Sequence, residues 1–447
     1  MQAAPYRDER LPRYTSYPTA PHFSGAVDAE TYAGWLKELA AGTTASLYLH
    51  VPFCRSMCWY CGCHTTVALR NGPIVDYLAA LRGEIALVAE KLVAPLDVRH
   101  VHFGGGTPTI LEPRDFAALV ALLRQHFGLR RSAEIAVEID PRRLGAGMIA
   151  ALAEAGVNRA SLGVQSFDPA VQKAINRIQS VEQTAAVVAG LRGAGIAAVS
   201  FDLIYGLPLQ TLQSCFDTVE HCLAMRPDRL SIFGYAHVPA FKKHQRRIAA
   251  AELPDGEARH EQAEAMAQRL VEAGYVRIGL DHFALPEDPM ARALKQGGLH
   301  RNFQGYTTDR CEALIGFGAS AIGRLPQGYV QNEVVIGRYA ERIADSALPT
   351  GRGYRLTAED RLRAELIERV MCDLAVDIDA VCLRHRADPN ILESSLRRLG
   401  RLSEEGVVRL DGHRVSLPDE ARLLVRKVAS AFDAHIDQTP RQYSRAV

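Results

Sequence analysis

Cys54, Cys58 and Cys61 stand in a C-x3-C-x2-C spacing, with Trp59 and Tyr60 between the second and third. Three thiolates from one short loop can hold three irons of a cubane cluster, and the fourth iron then has no protein ligand and stays open to a cofactor or substrate. Zinc is the alternative. Its structural sites take four N/S ligands, so Cys63 or His64 would have to complete a tetrahedron within a single loop. Of the nine cysteines, four lie within ten residues, while Cys215, Cys222, Cys311, Cys372 and Cys382 are scattered. Clustering of this kind points to metal or redox chemistry rather than a disulfide framework. The scattered five read as small buried hydrophobes.

A second run, His102-Phe103-Gly104-Gly105-Gly106-Thr107-Pro108-Thr109, follows a β-rich stretch. Three glycines let backbone approach a ligand without Cβ interference, although a Gly-rich turn alone also fits a simple tight loop. Both runs need elements to position them. SLYLHV (46–51), VRHVHF (98–103), EIAVEID (134–140), VNRASLGV (157–164), AVSFDLI (198–204) and DRLSIFGY (228–235) read as six strands. Segments such as YLAALRGEIALVAEKL and FAALVALLRQHF carry apolar residues three and four apart and read as crossover helices. Repeated βα units predict an α/β fold that closes into a full or partial barrel, with its chemistry at the C-terminal strand ends. Cys54, Gly104 to Thr107, Glu138 and Asp140, Gln165, Asp202, and Tyr235 to His237 all fall in or just after these strands.

Farther on, LTAEDRLRAELIERVMCDL opens with a Thr-x-x-Asp start and reads as a helix, and VVRLDGHRVSLP reads as a hairpin around Asp-Gly. Together they suggest a compact, mainly helical C-terminal domain of winged-helix shape. Lys+Arg 52 against Asp+Glu 51 leaves a net charge of +1, which asks for neither nucleic acid nor a membrane surface. No apolar run has signal-peptide or bilayer-spanning length, so a cytoplasmic protein is expected.

The cysteine loop after the first strand resembles that of the radical S-adenosylmethionine superfamily. The resemblance implies that the open iron chelates the methionine moiety of S-adenosylmethionine and that one electron from the cluster releases a 5′-deoxyadenosyl radical. RYTSYPT (13–19), LYLHVPFC, GGGTPT, GVQSF, NRIQ, FDLIYGLP, DRLSIFGYAHVP, LHRNFQGYTT and the closing YSRAV are together similar to the oxygen-independent coproporphyrinogen III dehydrogenase family. This implies a partial (β/α) TIM-like barrel over 41–335, an N-terminal extension over 1–40 that reaches the active site, and a smaller, mainly helical C-terminal domain over 336–447. The implied activity is conversion of two propionates of coproporphyrinogen III to vinyls. The implied cofactors are a [4Fe-4S] cluster and S-adenosylmethionine, and the electron source is a reducing donor such as flavodoxin or ferredoxin. A monomer is expected.

Position by position, Cys54, Cys58 and Cys61 match the cluster ligands. Tyr48, Gly105, Glu138, Ala236 and Ile322 match contacts of the first cofactor. Tyr60, Gly106, Thr107, Gln165, Arg177 and Asp202 match positions for a second S-adenosylmethionine. Arg177 suits a carboxylate, and Glu138 and Asp202 suit ribose hydroxyls or an amino group. Thr107 stands where many radical S-adenosylmethionine relatives carry Glu, and the pattern departs from the dehydrogenase family at Ser166 in place of Asp and at Ile178 in place of Glu. The run Lys242-Lys243-His244-Gln245-Arg246-Arg247 reads as a solvated surface helix, with attraction of a tetracarboxylate as the alternative. Heme chaperones and radical heme methyltransferases share the barrel, and the N-terminal RYTSYPT segment separates this chain from the chaperones.

Overall fold

The β-branched and aromatic runs form strands because alternate side chains pack on the helices outside the sheet. The computed structural model describes residues 9–437, so YSRAV (443–447) lies outside the described residues. All six expected strands are present: β1 (Thr44–Val51), β2 (Asp97–Gly105), β3 (Leu129–Ile139), β4 (Arg159–Gln165), β5 (Ala198–Tyr205) and β6 (Arg229–Gly234). Helices α1 (Gly72–Lys91), α2 (Pro113–His126), α3 (Ala146–Glu154), α4 (Val181–Gly193) and α5 (Leu212–Met225) cross between successive strands, and α6 (Gly256–Glu272) follows β6. Strands β1 to β6 pair in chain order and in parallel. The result is a partial (β/α) barrel.

The sheet extends at both edges in ways the sequence pattern did not show. β7 (Val276–Ile278) and β8 (His282–Ala284) continue antiparallel from β6. On the other side β9 (Ala313–Phe317) joins β1 in parallel, then β10 (Ile322–Leu325), β11 (Gly328–Asn332) and β12 (Thr350–Arg355) follow antiparallel. These flanking strands have three to six residues, too few for a period-2 pattern to stand out. β12 carries the sheet past residue 335.

Leu47, Leu49, Val101, Phe103, Val137, Leu162, Phe201 and Leu203 are all essentially solvent-free. Each stabilises the fold by about 1.5–3 kcal/mol relative to exposure. Register sets Val51 opposite Gly105 and Asp202 opposite Gly163 and Ser231, so the cysteine loop, the Gly-rich turn and the two barrel carboxylates come to one end of the sheet.

The C-terminal helix α7 (Ala358–Asp373) starts as read, with a reciprocal Thr357–Asp360 capping box. The expected hairpin, Arg409–Asp411 with Arg414–Ser416, gains a third strand, Ala375–Asp377. The N-terminal arm is tied to α8 (Val425–Ser430) and the residues after it. Arg426 donates to the Leu11 and Pro12 carbonyls, Tyr14 Oη donates to Asp433 at 3.0 Å, and Ala434 N–H donates to Tyr17 Oη at 2.9 Å. No helix among the described residues is long and apolar enough to cross a membrane.

Candidate functional site

Beyond the end of β1, Phe53–Cys54 pairs with Thr66–Val67, which folds the cysteine loop back over the barrel mouth. Two backbone-directed contacts pin this loop to the NRIQ segment: Trp59 N–H donates to the Ile175 carbonyl at 2.9 Å, and Asn176 Nδ2 donates to the Met57 carbonyl at 2.8 Å. A cavity of about 650 Å³ opens beneath it, lined by Cys54, Cys58, Cys61, Tyr60, Gly105, Gly106, Thr107, Glu138, Gln165, Arg177, Asp202 and Ala236. Tyr48 and Ile322 line a deeper cavity of about 500 Å³ instead, which meets the first at Glu138, Ser161 and Asp202. Leu11 and Arg13 of the N-terminal arm reach the upper cavity.

Each cysteine has its own partners. Cys54 Sγ lies 3.3 Å from both Thr107 Oγ1 and Thr65 Oγ1. Burial raises its pKa, and the two hydroxyls oppose that rise. Cys58 Sγ faces two guanidinium groups, Arg142 at 3.5 Å and Arg177 at 3.6 Å, and Asp140 bridges the same arginines at 2.7 and 3.4 Å. The Cys61 thiol is pulled down to about 7, chiefly by its hydrogen bond with Cys63. Asp140 was placed at a strand end and Cys63 was named only as a possible zinc ligand, whereas Arg142 was not singled out from the sequence, and the Asp-Pro-Arg-Arg run just past β3 was the available signal for it.

The Gly-rich turn lies tight against this loop. A Cβ at Gly106 would fall 2.6 Å from the Phe53 carbonyl oxygen and from Thr65 Oγ1, and one at Gly105, where φ is +111°, would fall 2.6 Å from the His50 ring. Gly105 N–H donates to Glu138 at 3.1 Å, and His102 Nε2 donates to the other carboxylate oxygen at 3.1 Å. Burial alone would raise the Glu138 pKa, but the His102 and Gly105 donors hold it below the ordinary value. His50 Nε2 donates to the His64 carbonyl, so its Nδ1 is free to accept from Tyr48 Oη, both at 2.9 Å. Asp202 accepts from Ser161 at 3.0 Å, and burial followed by the nearby Glu138 charge pushes it up to about 6. Neither carboxylate is the partner of a buried arginine.

The basic run is only in part the expected solvated surface helix. Lys243–Arg247 forms a short 3-10 turn with Lys243, Arg246 and Arg247 exposed, but its other side chains meet the cysteine loop. Lys242 Nζ donates to the Cys63 carbonyl at 2.9 Å, His244 Nε2 to the Cys61 carbonyl at 2.7 Å, and the fully buried Gln245 to the Tyr60 carbonyl at 3.0 Å. Five residues without helical period carry no signal for such a role. The departures from the family pattern sit nearby: Ser166 is buried and accepts from the Asp168 N–H, whereas Ile178 is 66% exposed.

The donor set fits a cubane better than zinc. Thiolates around one zinc lie about 3.8 Å apart, given Zn–S bonds near 2.3 Å. The His/Cys/Asp/Glu trio gathered within 4.8 Å among the described residues is His100, Asp309 and Cys311, not the three loop cysteines. Thiolates on separate irons stand farther apart, and Arg177 Nε, buried without a hydrogen-bond partner, leaves a donor near the same cavity.

Residues 48–222 match the Radical SAM superfamily, and 356–424 match the HemN C-terminal domain. The oxygen-independent coproporphyrinogen III oxidase of Bradyrhizobium diazoefficiens is 63% identical over 445 residues, covering 100% of this chain and 99% of that protein. The oxygen-independent coproporphyrinogen III oxidase of Pseudomonas aeruginosa is 39% identical, covering 98% and 96% respectively. The solved structure of coproporphyrinogen III oxidase (HemN) from Escherichia coli, a radical SAM enzyme, superposes with a TM-score of 0.90 at 35% identity, over 95% of this chain and 98% of that one. With cysteine loop, glycine turn and whole-chain fold in agreement, this chain belongs to the oxygen-independent coproporphyrinogen III oxidase family of the radical SAM superfamily.

Proposed function

We propose that this chain decarboxylates two propionates of coproporphyrinogen III to vinyl groups without oxygen, giving protoporphyrinogen IX. The observation that carries the proposal is the meeting of the three cysteines, the Gly-rich turn and the N-terminal arm on one cavity. Cys54, Cys58 and Cys61 would hold a [4Fe-4S] cluster, which together with S-adenosylmethionine would supply the one-electron radical chemistry needed to remove hydrogen from a propionate β-carbon and allow loss of CO2, with an external acceptor for the remaining electron.

Cys54, Cys58 and Cys61 hold the cluster in this proposal, and Arg142 and Arg177 direct charge-assisted N–H groups at the Cys58 sulfur. Tyr48, Gly105, Glu138, Ala236 and Ile322 receive the first S-adenosylmethionine, with Glu138 as the acceptor for an amino or hydroxyl group. Tyr60, Gly106, Thr107, Gln165, Arg177 and Asp202 are assigned to a second. Leu11 and Arg13 line the cavity from the N-terminal arm, where they would help to keep water from a primary carbon radical. The proposal includes a cytoplasmic monomer fed by a reducing donor such as flavodoxin or ferredoxin, and a division into the N-terminal extension, the barrel and the C-terminal domain.

The test is anaerobic reconstitution with dithionite, S-adenosylmethionine and coproporphyrinogen III, following 5′-deoxyadenosine and vinyl products by mass. Both form with the wild-type chain and both vanish in Cys58→Ala. Deoxyadenosine without vinyl product would retain the radical chemistry and reject the substrate.

A further inference from the structure

A smaller cavity of about 180 Å³ adjoins the site and shares Arg13, Phe233, Gly234 and Tyr235 with the larger one. Five guanidinium groups line it, those of Arg13, Arg259, Arg277, Arg301 and Arg426, against the carboxylate of Asp281. That carboxylate is already engaged by His282 at 2.7 Å. Arg277 pairs with Glu264 through both terminal nitrogens, at 2.9 and 2.7 Å, yet its Nε is buried without a partner. Arg301 donates to the Arg13 carbonyl at 3.2 Å and stacks on Tyr306 at 4.5 Å, while its Nη1 is likewise buried without a partner.

Several positive charges around one small space repel each other, and burial of a cation, as at Arg259 and Arg426, is costly unless an anion compensates it. Burial, followed by the charge of Arg13, pushes Arg426 down to about 9. Glu264 offsets Arg277 and the arm carbonyls engage Arg426, but Asp281 is the one carboxylate among the lining residues, so the lining stays net positive.

We propose that this arginine-lined cavity is a carboxylate subsite, in which Arg301 and Arg277 hold a propionate arm of the substrate that is not decarboxylated. The inference rests on the proposed function. Coproporphyrinogen III has four propionates, of which two react and two remain, so the unreacted arms are the carboxylates that can anchor the macrocycle through both decarboxylations. The cavity admits one such arm but not the ring, and its shared wall with the cluster cavity lets the ring lie across both.

The test uses the reconstituted full chain. Arg301→Leu and Arg277→Leu should raise KM for coproporphyrinogen III roughly tenfold or more, the loss expected for a charge-assisted hydrogen bond, with kcat changed by less than about threefold. Arg301→Lys should recover much of that loss. In a separate binding titration without S-adenosylmethionine, the wild-type chain should prefer coproporphyrin III to its tetramethyl ester, and Arg301→Leu should lose that preference. An unchanged KM in both Leu variants overturns the subsite. So does a parallel fall in thermal stability and S-adenosylmethionine affinity without rescue by Lys, which would make the arginines structural or assign them to the methionine carboxylate. A wild-type chain that shows the tetraacid preference but makes no vinyl product would reject the proposed function and leave the subsite standing.

Discussion

At Gly106 the backbone passes so close to Phe53 and Thr65 that a methyl group has nowhere to go. Gly106→Ala should therefore push the Gly-rich turn off the cysteine loop, costing about 1–3 kcal/mol and lowering cluster iron per chain, read by thermal melting and iron analysis. Asp202 offers a pH test. Its folded pKa of about 6 lies above the ordinary aspartate value of 3.8, so the native chain keeps a proton that the unfolded chain has released between those values. Stability therefore falls as pH rises through that window, and the deficit is complete above about pH 6. Asp202→Asn removes it while keeping an acceptor for Ser161. The variant should be more stable than wild type at pH 7 by about 1–3 kcal/mol, with the difference closing towards pH 4 in urea titrations.

Among the elements, α1 shows how a crossover helix also braces the far edge of the sheet. Its buried Glu84 accepts from Gly318 N–H, Asn332 Nδ2 and Tyr339 Oη at 2.6, 2.6 and 2.7 Å, joining the end of β9, the end of β11 and the following helix. Glu84→Ala strands three buried donors and should cost about 3 kcal/mol or more by denaturant unfolding, while leaving the cysteine loop's own hydrogen bonds in place. The six parallel strands were legible because each is long enough to show its pattern and is followed by an amphipathic crossover. β7 to β12 were not, being short and lacking crossovers. The cysteines and glycines were legible because spacing and residue type are themselves the chemistry. The roles of Arg142 and Gln245 were hidden because charged and amide side chains look alike whether they face water or a thiolate. The basic run was misread in part for that reason: composition gives its charge but not the carbonyls that Lys242 and His244 cap.

For the whole molecule, the arm at residues 9–18 joins distant parts of the chain. Leu11 and Arg13 face the cluster cavity while their carbonyl neighbours are held by Arg426, and Tyr14 is held by Asp433. Removal of residues 1–18 should leave iron content near wild type, since no loop cysteine depends on the arm. It should uncouple the chemistry, so that deoxyadenosine forms in excess over vinyl product as water gains access, measured by the ratio of the two products. The cavity of the folded chain is thus lined by its barrel and its arm, and the arm is held in turn by α8.

The span of that tie sets an order of events during synthesis. The arm's partners Arg426 and Asp433 are made more than 400 residues after it, whereas Cys54, Cys58 and Cys61 precede most of the barrel. Contacts of such long separation form late, after the local βα units have packed. A growing chain therefore presents its cysteine loop uncovered for most of its translation, and the arm can close over the mouth only once residues 426–434 have left the ribosome. Delivery of iron and sulfide has its widest opening in that interval, before the finished fold narrows the way in.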